Sequence, residues 1–175
     1  SNPGGIWVSV NDGQTWSNSH PDYPGLNTDG LPAIGVREVL PRMENGKFAL
    51  YALLYHGNGN CLGVMRYDKN NGWKNTGLSY APLDKKILYG IYQSKERIFV
   101  CGEDGIMTSD DKGANWQSRQ DMEGDRRVRN LSFDPASSKT IWAFGGKVWK
   151  SADNGQSWEK QEGWEKNLSQ APHRI

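Results

Sequence analysis

The pattern Ser-x-(Asp/Asn)-x-Gly-x-(Thr/Ser/Asn)-Trp occurs three times in this chain, at Ser9–Trp16, Ser109–Trp116 and Ser151–Trp158. A fourth segment, Arg66–Trp73, keeps Asp68 and Trp73 but places Asn70 where the turn glycine belongs. The third residue of each box, Asn11, Asp68, Asp111 or Asp153, is an acceptor suited to backbone N–H groups two residues on. Gly13, Gly113 and Gly155 supply the positive φ that such a turn requires. Trp16, Trp73, Trp116 and Trp158 then open the outgoing strand, where the ring covers the hairpin and its N–H reaches a carbonyl. The carboxylates read as turn acceptors and not as calcium ligands. An EF-hand loop would need acidic ligands at alternate positions and a Glu at its twelfth.

From Trp16 to Trp73, Trp116 and Trp158 the spacings are 57, 43 and 42 residues. A hairpin signature repeated near that period marks a four-stranded propeller blade. Between boxes, Val128–Phe133, Thr140–Phe144 and Lys147–Lys150 read as three successive strands. Ile87–Tyr92, Arg97–Cys101 and Gly105–Thr108 repeat the plan one unit earlier, and Val36–Leu40, Phe48–Tyr55 and Leu62–Tyr67 repeat it before that. The expected fold is all-β, a β-propeller segment of four-stranded antiparallel blades over residues 1–175. It comprises a half-blade at 1–18 and full blades at 34–77, 86–120 and 126–162. A ring cannot close well on this inventory, so an excised piece of a larger propeller is expected. Completion by self-association or by another partner is the alternative. The polar run from Asn18 to Ala33 is the loop where a binding surface is first sought, at Tyr23 especially.

A mean hydropathy of −0.79 is low for a compact α/β enzyme and suits a thin-walled repeat protein. Eight Trp and seven Tyr are enough to carry much of the blade packing. Trp7 and Trp149 hold equivalent third-strand places, filled by Met65 and Met107 in the other units, and are expected between blades together with Trp142. The net charge of +1 gives no long-range attraction to nucleic acid, and no such partner is expected. No apolar stretch is long enough for a membrane span. Cys61 and Cys101 occupy non-equivalent places without a metal motif, so free or buried thiols are expected, with no cofactor and no metal.

The boxes, their period and the Asp134-Pro135 turn resemble those of the Asp-box, or bacterial neuraminidase repeat, family of sialidase-like β-propellers. The resemblance covers nearly the whole chain. It implies boxes at the blade periphery, away from the ligand face, and an extracellular or cell-envelope setting. The family includes sialidases, xyloglucanases, sortilin-type receptors and a photosystem II assembly factor, so it implies no single chemistry. A sialidase would carry an Arg-Ile-Pro segment near its start, but Leu40-Pro41-Arg42 has the wrong order and Arg174-Ile175 ends the chain. Arg37 and Arg129 do match in their first strands, which in propellers line the channel, and two guanidinium groups there can clamp a carboxylate. The competing reading pairs them with Glu38, Asp125 or a neighbouring loop. A xyloglucanase-like site would need two facing carboxylates, and nothing in the sequence pairs Glu38, Asp84, Glu103 or Asp104. Glu103 and Asp104 suit a hairpin turn, and Asp84 a solvated loop. His20, His56 and His173 fall in loops or the tail, so no catalytic residue is assigned. The expected role is non-catalytic recognition of a glycan or a protein surface through Arg37, Arg127, Arg129 and Tyr23. A glycoside hydrolase fragment without its complete catalytic set, and a peptide-binding scaffold or assembly factor, are the alternatives.

Overall fold

A computed structural model describes residues 6–18, 35–81, 83–95, 97–119, 122 and 126–163. Every regular element among them is a strand. A short hairpin pairs β1 (Trp7–Val8) with β2 (Ser17–Asn18). The first blade follows as β3 (Gly35–Glu44), β4 (Lys47–Tyr55), β5 (Cys61–Asp68) and β6 (Gly72–Ser79). The second is β7 (Leu88–Ser94), β8 (Arg97–Gly102), β9 (Gly105–Ser109) and β10 (Gln117–Ser118). The third is β11 (Val128–Phe133), β12 (Ile141–Gly145), β13 (Val148–Ser151) and β14 (Glu159–Lys160). Each blade is an antiparallel meander whose spatial order is its chain order. Pro41 is tolerated inside β3 because β3 is an edge strand, where a missing N–H need not break a ladder.

The blades stack face to face, and strand pleating explains how. Ile98 and Val100 of β8 join Tyr51, Leu53 and Val64 of the first blade in one core. Phe99 and Cys101, pointing the other way, join Val128, Ile141 and Ala143 of the third in another. A strand covered on both faces must be apolar at every position, and the run Ile98–Cys101 meets that demand. In β4 the same alternation sends Tyr51 and Leu53 toward the second blade and Leu50, Ala52 and Leu54 toward Ile6 beside the β1–β2 hairpin. The first strands β3, β7 and β11 are in contact in sequence. Between β3 and β7 the Ile91 N–H donates to Glu38 Oε2 at 2.8 Å.

The boxes fold alike, though not by the two-residue reach that the sequence suggests. Ser9, Ser109 and Ser151 Oγ accept the N–H of Gly13, Gly113 and Gly155 at 2.8, 2.9 and 2.8 Å. Asn11, Asp111 and Asp153 Oδ1 accept the N–H of Thr15, Asn115 and Ser157, each at 2.9 Å and four residues on. The longer reach follows from paired positive φ angles at Asp12–Gly13, Lys112–Gly113 and Asn154–Gly155, which curl the chain around the acceptors. Trp16 and Trp116 Nε1 donate to the Gly13 and Gly113 carbonyls at 3.0 and 2.9 Å. The degenerate turn alone uses the short reach, with Asp68 Oδ1 accepting from the Asn70 and Asn71 N–H groups. There the positive φ falls on Gly72 and not on Asn70.

Two boxes also dock on the preceding blade. The Gly77 N–H of β6 donates to the Gly113 carbonyl at 2.7 Å. The Tyr51 hydroxyl lies 3.0 Å from the Lys112 carbonyl as well as 2.6 Å from Glu44 Oε1. Gly155 lies on the Phe99 ring, where an added Cβ would come within 2.5 Å. Arg97 Nη1 donates to the Asn154 carbonyl at 2.9 Å beside it. Trp149 and Trp158 are correspondingly buried, and Trp142 is half-buried. Trp7 and Trp16 stand 54% and 59% exposed, which corrects the expectation that Trp7 packs between blades. No described sheet lies on that side of β1.

Candidate functional site

The first strand of every blade carries a bulge near its start. Pairing jumps from Val36↔Leu54 to Glu38↔Leu53, from Leu88↔Gly102 to Gly90↔Cys101, and from Val128↔Gly145 to Asn130↔Phe144. The skipped residues are Arg37, Tyr89 and Arg129. A bulge leaves one residue outside the ladder and re-aims its side chain, and bulges concentrate beside functional sites. Glycine makes the close approach possible. A Cβ on Gly102 would meet the Ile87 carbonyl at 2.5 Å, and one on Gly145 or Gly35 would collide with the Arg127 carbonyl or the Tyr55 ring. Strand direction places these bulges at the opposite end of each sheet from the boxes.

The three bulged side chains share one kind of environment. The Arg37 guanidinium lies 5.7 Å from the Tyr55 ring centroid, and that of Arg129 lies 5.5 Å from Tyr89. Such stacking attracts the cation to the ring face while leaving the N–H edge open. The Tyr89 hydroxyl donates to Glu103 Oε1, and Glu103 Oε2 lies 3.5 Å from Arg127 Nε. Burial and the bond to Glu103 both raise the Tyr89 pKa, so the phenol remains a donor at neutral pH. Arg127, Glu103, Tyr89 and Arg129 thus form one chain of contacts between the second and third blades. Arg37 and Arg129 are exposed, and among the described residues neither forms an ion pair with a carboxylate.

Among the described residues neither arginine pairs with Glu38. Glu38 is engaged by the Ile91 N–H, and Asp125 lies outside the described residues, as do Tyr23 and its loop. The structure brings Arg127 and Arg129 together around Tyr89 and Glu103. Arg37 holds the matching place in the first blade. Tyr55, Tyr89 and the role of Glu103 escaped the sequence reading. Their signal was a glycine close to each bulge, Gly102 and Gly145 in the flanking pairs and Gly35 one pair further out.

The remaining acidic candidates are engaged elsewhere. Asp104 meets Lys86 Nζ at 2.8 Å, and Asp84 Oδ2 accepts the Ala81 N–H at 2.7 Å. A cleft of about 600 Å³ lies at the box end of the first blade, lined in part by Glu44, Phe48, Arg66, Asp68 and Lys112. Within it Arg66 bridges Glu44 Oε2 at 2.7 Å and Asp68 Oδ2 at 2.6 Å. Glu44, Arg66 and Asp68 are thus engaged in a network within the fold, whereas Arg37 and Arg129 form no ion pair among the described residues. Cys61 and Cys101 are free and buried, and burial pushes the Cys101 thiol up to about 12. Among the described residues no three His, Cys, Asp or Glu side chains gather in a metal-binding group, and no helix is long and apolar enough to cross a membrane.

No protein-family model matches the chain, and no curated protein matches it. Eight solved chains do match in structure. One is the GH74 enzyme of Niastella koreensis, a glycoside hydrolase, with a TM-score of 0.57 and 16% identity. The match covers 91% of this chain and 26% of the enzyme, so the chain spans about a quarter of that protein's length. At that identity the likeness is one of fold, and the fold is an all-β segment of four-stranded propeller blades.

Proposed function

We propose that this chain is a recognition segment of an Asp-box β-propeller, and that the bulge row binds an anionic glycan without hydrolysing it. One observation carries the reading: Arg37 and Arg129 occupy equivalent bulges, each stacked on a tyrosine with its guanidinium edge open. A guanidinium held in place loses little freedom on meeting a carboxylate or sulfate, and the planar edge accepts it in bidentate fashion. An extracellular or cell-envelope setting accompanies this reading.

Binding of acidic and neutral oligosaccharides, read by calorimetry or on an array, tests it. Acidic glycans bind saturably, and Arg37→Ala and Arg129→Ala each weaken binding by about tenfold or more. Equal binding by wild type and both variants overturns the assignment.

The likeness to a GH74 enzyme favours a second reading, in which the segment belongs to a glycoside hydrolase whose other blades bring the catalytic carboxylates. Turnover of a glycoside by this chain, abolished by Glu38→Gln or Glu103→Gln, would replace the first reading with that one.

A further inference from the structure

The degenerate turn departs from the box pattern at its first residue, and a cleft opens there. Arg66 stands where Ser109 and Ser151 stand in the later boxes. Those serine hydroxyls accept the N–H of Gly113 and Gly155 and close their turns. A guanidinium has donors only, so Arg66 engages Glu44 and Asp68 instead. The cleft of about 600 Å³ beside it falls within the span of small-molecule sites, roughly 300–1,000 Å³. At the next junction the corresponding turn is the complete Ser109 box. There Arg97 spans Asp110 and the Asn154 carbonyl, and the space beside Lys95 and Lys139 is about 290 Å³. Both walls of the larger cleft belong to complete blades, the β3–β4 and β5–β6 turns of the first and Lys112 in the box of the second.

Its lining carries more positive charge than it can pair. Lys47, Arg66, Lys69 and Lys112 share the cleft with two carboxylates, Glu44 and Asp68, and Arg66 takes both of them. Lys47, Lys69 and Lys112 are exposed, and among the described residues none of the three meets a carboxylate. The surplus is local, since the whole chain carries only +1. The three lysines also rise from fixed backbone. Lys47 pairs with Glu44 across the β3–β4 ladder. Lys69 follows Asp68, whose Oδ1 accepts the Asn70 and Asn71 N–H groups. The Lys112 carbonyl lies 3.0 Å from the Tyr51 hydroxyl, and the neighbouring Gly113 carbonyl accepts the Gly77 N–H. Compact charges on three separate turns suit a tetrahedral, multiply charged anion, which accepts from several directions at once. A lone carboxylate offers one planar edge and is better matched by a guanidinium.

We propose that the cleft between the first and second blades binds a small ligand carrying two linked phosphate groups, held by Lys47, Lys69 and Lys112. It is a second site, at the opposite end of the sheets from the bulge row and independent of glycan recognition there. A diphosphate offsets the surplus charge, and its span lets separate lysines hold separate phosphates.

Calorimetric titration of inorganic pyrophosphate into the full chain at low salt tests the proposal, with inorganic phosphate as the shorter probe. Pyrophosphate binds saturably at one site per chain, and phosphate binds at least about tenfold more weakly. Lys69→Gln and Lys112→Gln each weaken pyrophosphate binding by about tenfold, the loss of one charge-assisted contact. Both side chains are exposed, and unchanged circular dichroism shows that the variants fold. Lys139→Gln, at the other junction, leaves the affinity unchanged. Absence of pyrophosphate binding by wild type overturns the proposal. So does an affinity that survives both Lys69→Gln and Lys112→Gln, since the anion then sits elsewhere, and so does equal affinity for phosphate and pyrophosphate. Because glycan binding is read separately through Arg37 and Arg129, failure here leaves the recognition reading untouched.

Discussion

At the scale of single residues, each box is a small polar knot around one acceptor side chain. Burial alone would raise the Asp153 pKa, but the Ser157 hydroxyl and N–H outweigh it and hold the carboxyl at about 2. Asp68 is likewise held at about 2 by the Asn71 side chain and Arg66. The ordinary value is 3.8, so the unfolded chain takes up protons at these positions first as pH falls. Their contribution to stability is complete above about pH 4 and is lost as pH drops from there through about 2. The first box has Asn11 in this place, and its Nδ2 donates to Thr15 Oγ1 at 2.9 Å while Oδ1 accepts the Thr15 N–H. Asp153→Asn can adopt that arrangement with Ser157. It costs under about 1 kcal/mol at pH 7 and removes the Asp153 share of the acid transition. Asp153→Ala costs about 2 kcal/mol, because charge-assisted bonds are lost. Urea unfolding of both variants at neutral and acid pH measures these differences.

At the scale of elements, the glycine of a docked box does two jobs that substitution can separate. Gly46, in the β3–β4 turn, has φ +75 and nothing within 4 Å of an added Cβ. Gly155 has φ +77, and its added Cβ would meet the Phe99 ring at 2.5 Å. Gly46→Ala should therefore cost about 1 kcal/mol of backbone strain. Gly155→Ala should cost about 2–4 kcal/mol, since overpacking is added to the same strain. Thermal melts of the two proteins decide whether docking matters beyond the turn. The turn itself was legible in the sequence because Ser, Asp and Gly act on neighbours a few residues away. The strand order was legible for the same reason, as short turns leave a meander little choice. The bulges were not, because a skipped residue shows only against the partner strand. Nor could the sequence separate Trp7 from Trp149, which share a place in their units and differ in whether a sheet covers them. Arg37 and Arg129 were found by unit-to-unit equivalence, but their tyrosine partners come from other strands or another blade.

At the scale of the molecule, stacked sheets joined through docked boxes should open as one body. β6 is the outer edge of the first blade, and an undocked edge strand of this kind would fray. Its Gly77 N–H instead reaches across to the Gly113 carbonyl of the second blade. Native-state hydrogen exchange at the Gly77 amide is the most direct test that boxes hold successive blades together. The expected result is protection close to that of the β8 core amides, lost only with global unfolding. Exchange as fast as a solvent-facing loop amide, with β8 still protected, would show that the boxes are local turns and that the blades are joined by their apolar faces alone.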